Sequence, residues 1–183
     1  FNIETKESGF YRFSLEEASL KKLVMEECGY RLMGKARDAE KLLWTKSTVT
    51  EYPDVWISDL SFQSAIKLSE ANPQQGDYNW LSVELVEWLD YDGVRHQGLL
   101  YKPEDFDPAK KYPMMVYFYR LHSNSLYSHV YPRASSSTIN AAFYASNGYL
   151  VFMPDVYFKI GQPGRSAFNS IVSGVMSLGK ERD

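Results

Sequence analysis

The sequence predicts an antiparallel β half followed by an α/β half, whose parallel sheet begins but is not completed. Three observations carry this prediction. Short aromatic-rich runs recur at roughly ten-residue spacing across residues 1–80, separated by polar turns. From Leu81 onward the order becomes strand, helix, strand, helix, the pattern of a parallel α/β unit. No further strand pattern follows the last helical one.

The elements follow in order. Residues 9–15 (G-F-Y-R-F-S-L) read as a strand, Glu16-Glu17-Ala18-Ser19 as a polar turn, and residues 20–25 (L-K-K-L-V-M) as the returning partner. Residues 41–45 (K-L-L-W-T) and 54–60 (D-V-W-I-S-D-L) form a second pair, with Val55, Ile57 and Asp59 on one face and Trp56 and Ser58 on the other. Residues 65–68 close the series before Asn72-Pro73. A sandwich, a barrel or propeller blades would all satisfy this half. In the second half, residues 81–89 alternate, Asp92-Gly93 is a hairpin turn, and residues 94–101 return. Residues 114–119 (M-M-V-Y-F-Y) are apolar almost throughout, as in a strand covered on both faces. Ser135, Ser136, Ser137 and Thr138 offer helix N-caps. Ile139, Ala142, Phe143 and Ser146 then share a helical face, and Asn147-Gly148 is a stop. Residues 149–153 form another covered strand, and residues 167–178 a last helix with Phe168, Ile171, Val172, Val175 and Met176 at helical spacing.

Composition narrows the function classes. The chain has 183 residues, enough for one domain or two small ones, with a formal net charge of -3. Its 20 Lys and Arg residues are scattered, which gives no electrostatic footprint for nucleic acid. The single Cys28 permits no intrachain disulfide and reads as a buried, inert thiol. No apolar run approaches the ~20 residues of a membrane-spanning helix. Phe1-Asn2-Ile3-Glu4 carries neither an initiator Met nor a signal pattern, so an internal piece of a longer protein is expected.

Few residues carry chemistry by type and spacing alone. His96, His122 and His129 have no Cys or carboxylate at ligand spacing, so no metal and no cofactor is expected. Gly164-Arg165-Ser166-Ala167-Phe168 is the nearest approach to a nucleophile elbow, but it lacks the final glycine that the close backbone approach needs. Ser166 therefore reads as a cap or loop hydroxyl. Glu16-Glu17 and Glu26-Glu27 read as solvated turns, and Trp44, Trp56, Trp80 and Trp88 as packing.

A longer pattern resembles a known family. Tyr101-Lys102-Pro103-Glu104-Asp105-Phe106-Asp107, then Lys110-Lys111-Tyr112-Pro113 and the apolar run after it, resembles the opening of the hydrolase domain in prolyl oligopeptidase family serine peptidases. Ser146-Asn147-Gly148-Tyr149-Leu150-Val151-Phe152-Met153-Pro154-Asp155 is similar to the next family strand, and Gly161-Gln162-Pro163-Gly164 to the loop after it. Asp59-Leu60, Ile66-Lys67-Leu68-Ser69 and Asn72-Pro73-Gln74 resemble the end of a propeller blade. The resemblance spans roughly residues 49–180, is most specific from Tyr101 onward, and is nearest to bacterial members of the dipeptidyl peptidase IV-like branch.

That resemblance implies a fold and a role. Residues 1–80 would be the C-terminal portion of a β-propeller, and residues 81–183 the N-terminal portion of an α/β-hydrolase domain with an incomplete sheet. The parent would cleave peptides near their N-terminus, Xaa-Pro dipeptides included, through an acyl-enzyme. Its Ser-Asp-His triad would lie beyond this chain, so the isolated chain should be inactive. Aligning Tyr112-Pro113 with the family's Tyr-Pro places Tyr119 as the phenol that donates to the oxyanion. Arg120-Leu121-His122 departs from the Ala-Gly-Pro or Gly-Gly-Pro that commonly follows this tyrosine. A peptide substrate is the implied partner, together with self-association or pairing with the rest of the parent through an open sheet edge. The resemblance implies export over a cytoplasmic location, although no segment here carries that address. An α/β-hydrolase esterase with a β-rich cap and a non-catalytic binding module are the alternatives.

Overall fold

The computed structural model of the chain describes residues 1–133 and 137–180. Two compact units emerge. The first comprises residues 1–75 with 127–129, and the second residues 76–126 with 130–183.

The first unit is all β. Strands β1 (Ser8–Ser14) and β2 (Ser19–Glu26) form the expected antiparallel hairpin, with Ala18 taking a positive φ of 48° in its turn. A four-stranded antiparallel sheet follows in the order β3 (Gly29–Lys35), β4 (Lys41–Ser47), β5 (Asp54–Asp59), β6 (Ile66–Lys67). The alternation that predicted β4 and β5 is expressed at Ser58. It is buried and accepts a 3.0 Å hydrogen bond from the Trp44 indole, while the Trp44 and Trp56 rings stack 5.5 Å apart. Strand β3 escaped the sequence reading. Its register slips between Leu32 and Gly34, and that irregularity breaks the period-two signal. The Ser8 hydroxyl joins hairpin to sheet by donating to the Cys28 carbonyl and accepting from the Tyr30 amide. Cys28 is buried as expected, and burial pushes its thiol pKa up.

The second unit is a mixed sheet with two helices. Its strand order is β7 (Leu81–Leu89), β8 (Arg95–Pro103), β10 (Leu150–Pro154), β9 (Met114–Val116). β7, β8 and β10 pair antiparallel, whereas β10 and β9 are parallel. The β7–β8 turn closes on Gly93, whose φ of +77° suits the residue. Helix α1 (Ala141–Ser146) joins the two parallel strands, and α2 (Pro163–Lys180) follows β10.

β10 is buried at all five positions, so both sheet faces are covered there. On one face Trp88, Leu100, Leu150 and Phe152 form the core with Leu178 of α2. The other face is left to α1, which packs on β8 and β10 through Ala141, Ala142 and Ala145.

Three expectations are corrected in detail. Asn140 caps α1 by accepting from the Phe143 amide at 2.9 Å; of the predicted caps, Ser135 and Ser136 lie outside the described residues. Phe143 is exposed, because the small side chains of α1 are the ones that meet the sheet. β9 is shorter than residues 114–119 and half-buried, because it is an edge strand with one neighbour among the described residues. The expected open edge is therefore present. α2 begins earlier than predicted, with Pro163 in its first turn, where a missing N–H costs nothing.

Candidate functional site

Parallel strands direct their carboxyl ends to one edge of a sheet, and the loops leaving that edge gather functional groups. Here the loops after β9 and β10 leave together. Tyr119 lies in the first of them and is 77% exposed.

The backbone around Tyr119 is held on both sides. The Tyr117 amide donates to the Phe152 carbonyl at 3.0 Å, which extends the parallel pairing past β9. The Arg120 carbonyl accepts from the Val156 amide at 2.7 Å. Beyond it the chain turns through a short 3₁₀ segment, Ser123–Ser125. Asp155, at the end of β10 and 1% exposed, fixes that turn. Its carboxylate accepts from the His122 amide at 2.6 Å, the Ser123 amide at 2.8 Å and the Ser123 hydroxyl at 2.5 Å. A buried carboxylate is tolerated when donors surround it, and three do so here. Sequence reasoning quoted Asp155 only as part of a longer motif. An acidic residue directly after a fully apolar strand was the available signal.

The nearby titratable groups respond to this burial. Burial holds the His122 imidazole below its usual range, against the opposing pull of Asp155. Burial raises the Tyr157 phenol, and the charge of Asp155 adds to the rise. Tyr101 on β8 is pushed up to about 12 by burial, opposed by a hydrogen bond with Ser125.

Other sequence candidates take structural places. Ser166 is buried near the start of α2, where its hydroxyl donates to the Gln162 carbonyl at 2.8 Å and accepts from the Lys159 amide at 3.0 Å. That is a loop clamp, as the sequence suggested, and leaves no geometry for a nucleophile. His129 belongs to the first unit, with Nε2 2.9 Å from the Gln75 side-chain oxygen. Glu26 pairs with Lys46 and accepts from the Tyr30 hydroxyl, while Glu16 and Glu17 are exposed in the β1–β2 turn. Trp44, Trp80 and Trp88 are buried packing residues. Among the described residues, no group of three or more His, Cys, Asp or Glu side chains could hold a metal, and no helix is long and apolar enough to cross a membrane.

Comparison with known proteins gives a consistent fold. No family model matches the chain, and no curated protein matches it. Solved structures do match. A Bacteroides ovatus protein assigned as a dipeptidyl aminopeptidase IV aligns over 98% of this chain and 29% of its own, with a TM-score of 0.63 and 20% identity. Dipeptidyl peptidase 4 of Porphyromonas gingivalis aligns over 93% and 25%, with a TM-score of 0.62 and 15% identity. Acylaminoacyl peptidase of Pyrococcus horikoshii aligns over 94% and 27%, with a TM-score of 0.60 and 15% identity. The chain thus spans between a quarter and a third of the length of these relatives. What the sequence motifs resembled is met at the level of fold: this chain has the fold of a segment of the prolyl oligopeptidase-type peptidases.

Proposed function

We propose that this chain is part of a serine peptidase of the prolyl oligopeptidase family, dipeptidyl peptidase IV-like in specificity, and that Tyr119 donates to the oxyanion of its tetrahedral intermediate. In this reading residues 1–80 are the C-terminal portion of a β-propeller. Residues 81–183 open an α/β-hydrolase domain whose nucleophile, acid and histidine are supplied by further polypeptide. The observation that supports it most is the place of Tyr119: an exposed phenol on a backbone held from both sides, at the carboxyl edge of a parallel strand pair and beside an open sheet edge. A phenol suits the role because a rigid ring presents one O–H donor to a charge that develops only during reaction.

The test uses the chain alone and a longer polypeptide that contains it. The chain alone should release no chromophore from an Xaa-Pro anilide and take no label from a serine-directed phosphonate. The longer polypeptide should do both. In it, Tyr119→Phe should lower kcat by about 10²–10³-fold, the loss seen when one oxyanion donor is removed. Turnover by the chain alone, or an unchanged kcat in Y119F, would refute the assignment. Cleavage of esters without anilides would shift the reading to an esterase.

A further inference from the structure

A cavity of about 360 Å³ opens where the β7–β8 turn, the segment after β10 and the first turns of α2 meet. Its lining includes Tyr157 and Phe158, the α2 hydroxyls of Ser166 and Ser170, and the side chains of Asp90 and His96. None of these belongs to the loop that carries Tyr119.

Two independent features point to a ligand. The first is charge at the mouth. The Asp92 carboxylate receives a 3.0 Å hydrogen bond from the Asn169 amide group, but the Arg165 and Lys159 nitrogens stay at 3.7 and 3.8 Å. Both cationic side chains remain about two-thirds exposed, at 69% and 67%. Two cations facing one carboxylate leave a positive charge uncompensated. It lies beside the N-terminal end of the 18-residue α2, where the helix dipole adds to it. Asp90 does not offset this charge. It already accepts from the Asp92 and Val94 amides at 2.9 Å each and lies 3.0 Å from His96 Nε2.

The second feature is His96 itself. It is 3% exposed, stacked on Trp88 with the Tyr157 ring 5.7 Å away. Its Nδ1 has no hydrogen-bond partner among the described residues. A buried ring nitrogen without a partner, in a residue that lines a cavity, marks polar capacity that the protein itself does not fill.

We infer that this cavity binds a small molecule bearing an oxyanion, a carboxylate or a phosphate. The anion lies between Lys159, Arg165 and the first turn of α2. The remaining atoms rest against Tyr157 and Phe158, with a polar atom toward His96. Neither Tyr119 nor a nucleophile enters this inference, so it stands or falls apart from the peptidase reading.

The test is an amide-resolved NMR titration of the chain at constant ionic strength in chloride, with inorganic phosphate in one arm and acetate in the other. Saturable shifts should appear at residues 159–166, together with a change in the His96 Nδ1 resonance. Saturation by phosphate alone identifies a phosphorylated ligand, and by acetate alone a carboxylate ligand. Lys159→Gln combined with Arg165→Gln should weaken binding at least about tenfold, the order expected for one lost charge-assisted hydrogen bond. Lys110→Gln with Lys111→Gln, cations outside this cavity, should leave affinity unchanged. Shifts that grow without saturating in both arms overturn the inference. So does equal affinity in the Lys159/Arg165 variant, or a His96 resonance that does not move.

Discussion

Replacing Asp155 tests how the loop after β9 is held. The carboxylate accepts three hydrogen bonds, two from backbone amides and one from a hydroxyl, and it is 1% exposed. Asp155→Ala strands both amides in a buried place, and each orphaned donor costs about 1–3 kcal/mol. Relief from burying a charge offsets part of this, so the net loss should be about 3–4 kcal/mol. Asp155→Asn keeps an oxygen for the amides and offers the Ser123 hydroxyl a donor in place of an acceptor. It loses only the charge assistance, about 1 kcal/mol. Hydrogen exchange at the His122 and Ser123 amides reads the effect locally. Exchange should accelerate by about 10²–10³-fold in D155A and by about tenfold or less in D155N, at 1.4 kcal/mol per decade. Equal acceleration in the two variants, or protection of both amides in D155A, would show that the loop is held by something other than this carboxylate.

Four further outcomes follow from particular contacts. A Cβ added at Gly174 would lie 2.8 Å from the Trp88 ring and 2.9 Å from the Phe152 ring, so Gly174→Ala should cost about 1–3 kcal/mol by denaturant melting, despite alanine's better helix propensity. Gly179→Ala on the same helix meets nothing within 4 Å and should be neutral or stabilising by up to about 1 kcal/mol. Burial alone would raise the Asp90 carboxyl pKa, but the Val94 amide, His96 and the Asp92 amide reverse this and hold it below the ordinary range. A depressed folded pKa contributes stability that is present above the unfolded value of about 3.9 and lost as pH falls through the folded one. The stability gap between the parent chain and Asp90→Asn, followed by circular dichroism, should accordingly be full near neutrality and close in acid; a gap unchanged into strong acid would contradict this. The open edge of β9 should drive concentration-dependent association in sedimentation velocity. Val116→Pro, which removes one N–H from that edge strand, should weaken it.

Much of the fold was legible because burial imposed a period. The β7–β8 hairpin announced itself through alternation on both sides of Asp92-Gly93, and β10 through five consecutive apolar positions. Legibility failed where something other than apolar burial set the pattern. Strand β3 carries a register slip and two charged residues, Arg31 and Lys35. The apolar stripe read on α2 is partly outward, with Phe168 and Met176 exposed, while Asn169, Ser170, Ser173 and Gly174 are buried. Trp88 explains the inversion. Its large ring, together with Phe152, fills the space between sheet and helix, so only small residues fit above it. The indole N–H also needs acceptors, which the Ser170 carbonyl and the Ser173 hydroxyl provide at 3.1 and 3.0 Å. At the candidate site, Tyr119 was legible through motif resemblance. Asp155 and the Asp90–His96 pair were not, because their roles depend on loops meeting across the sheet.

The geometry around Tyr119 separates holding the residue from using it. Its ring contributes little to stability, since it lies mostly in solvent. Its Cα nevertheless has little freedom, because Tyr117 is tied to Phe152 on one side and Arg120 to Val156 on the other. Asp155 then fixes the turn that follows. A donor that must meet a transient charge benefits from this division: the backbone supplies the placement in advance, and the ring needs only a rotamer change. It also explains how Arg120-Leu121-His122 can stand where relatives commonly have small residues and proline. With the His122 and Ser123 amides bound to a buried carboxylate, the turn takes its shape from those hydrogen bonds rather than from the backbone preferences of glycine or proline. In the longer polypeptide, Tyr119→Phe should therefore change kcat at constant stability, and Asp155→Ala should change both. If Y119F lowered stability as much as D155A, the phenol would be a structural group and its assignment to the oxyanion would fail.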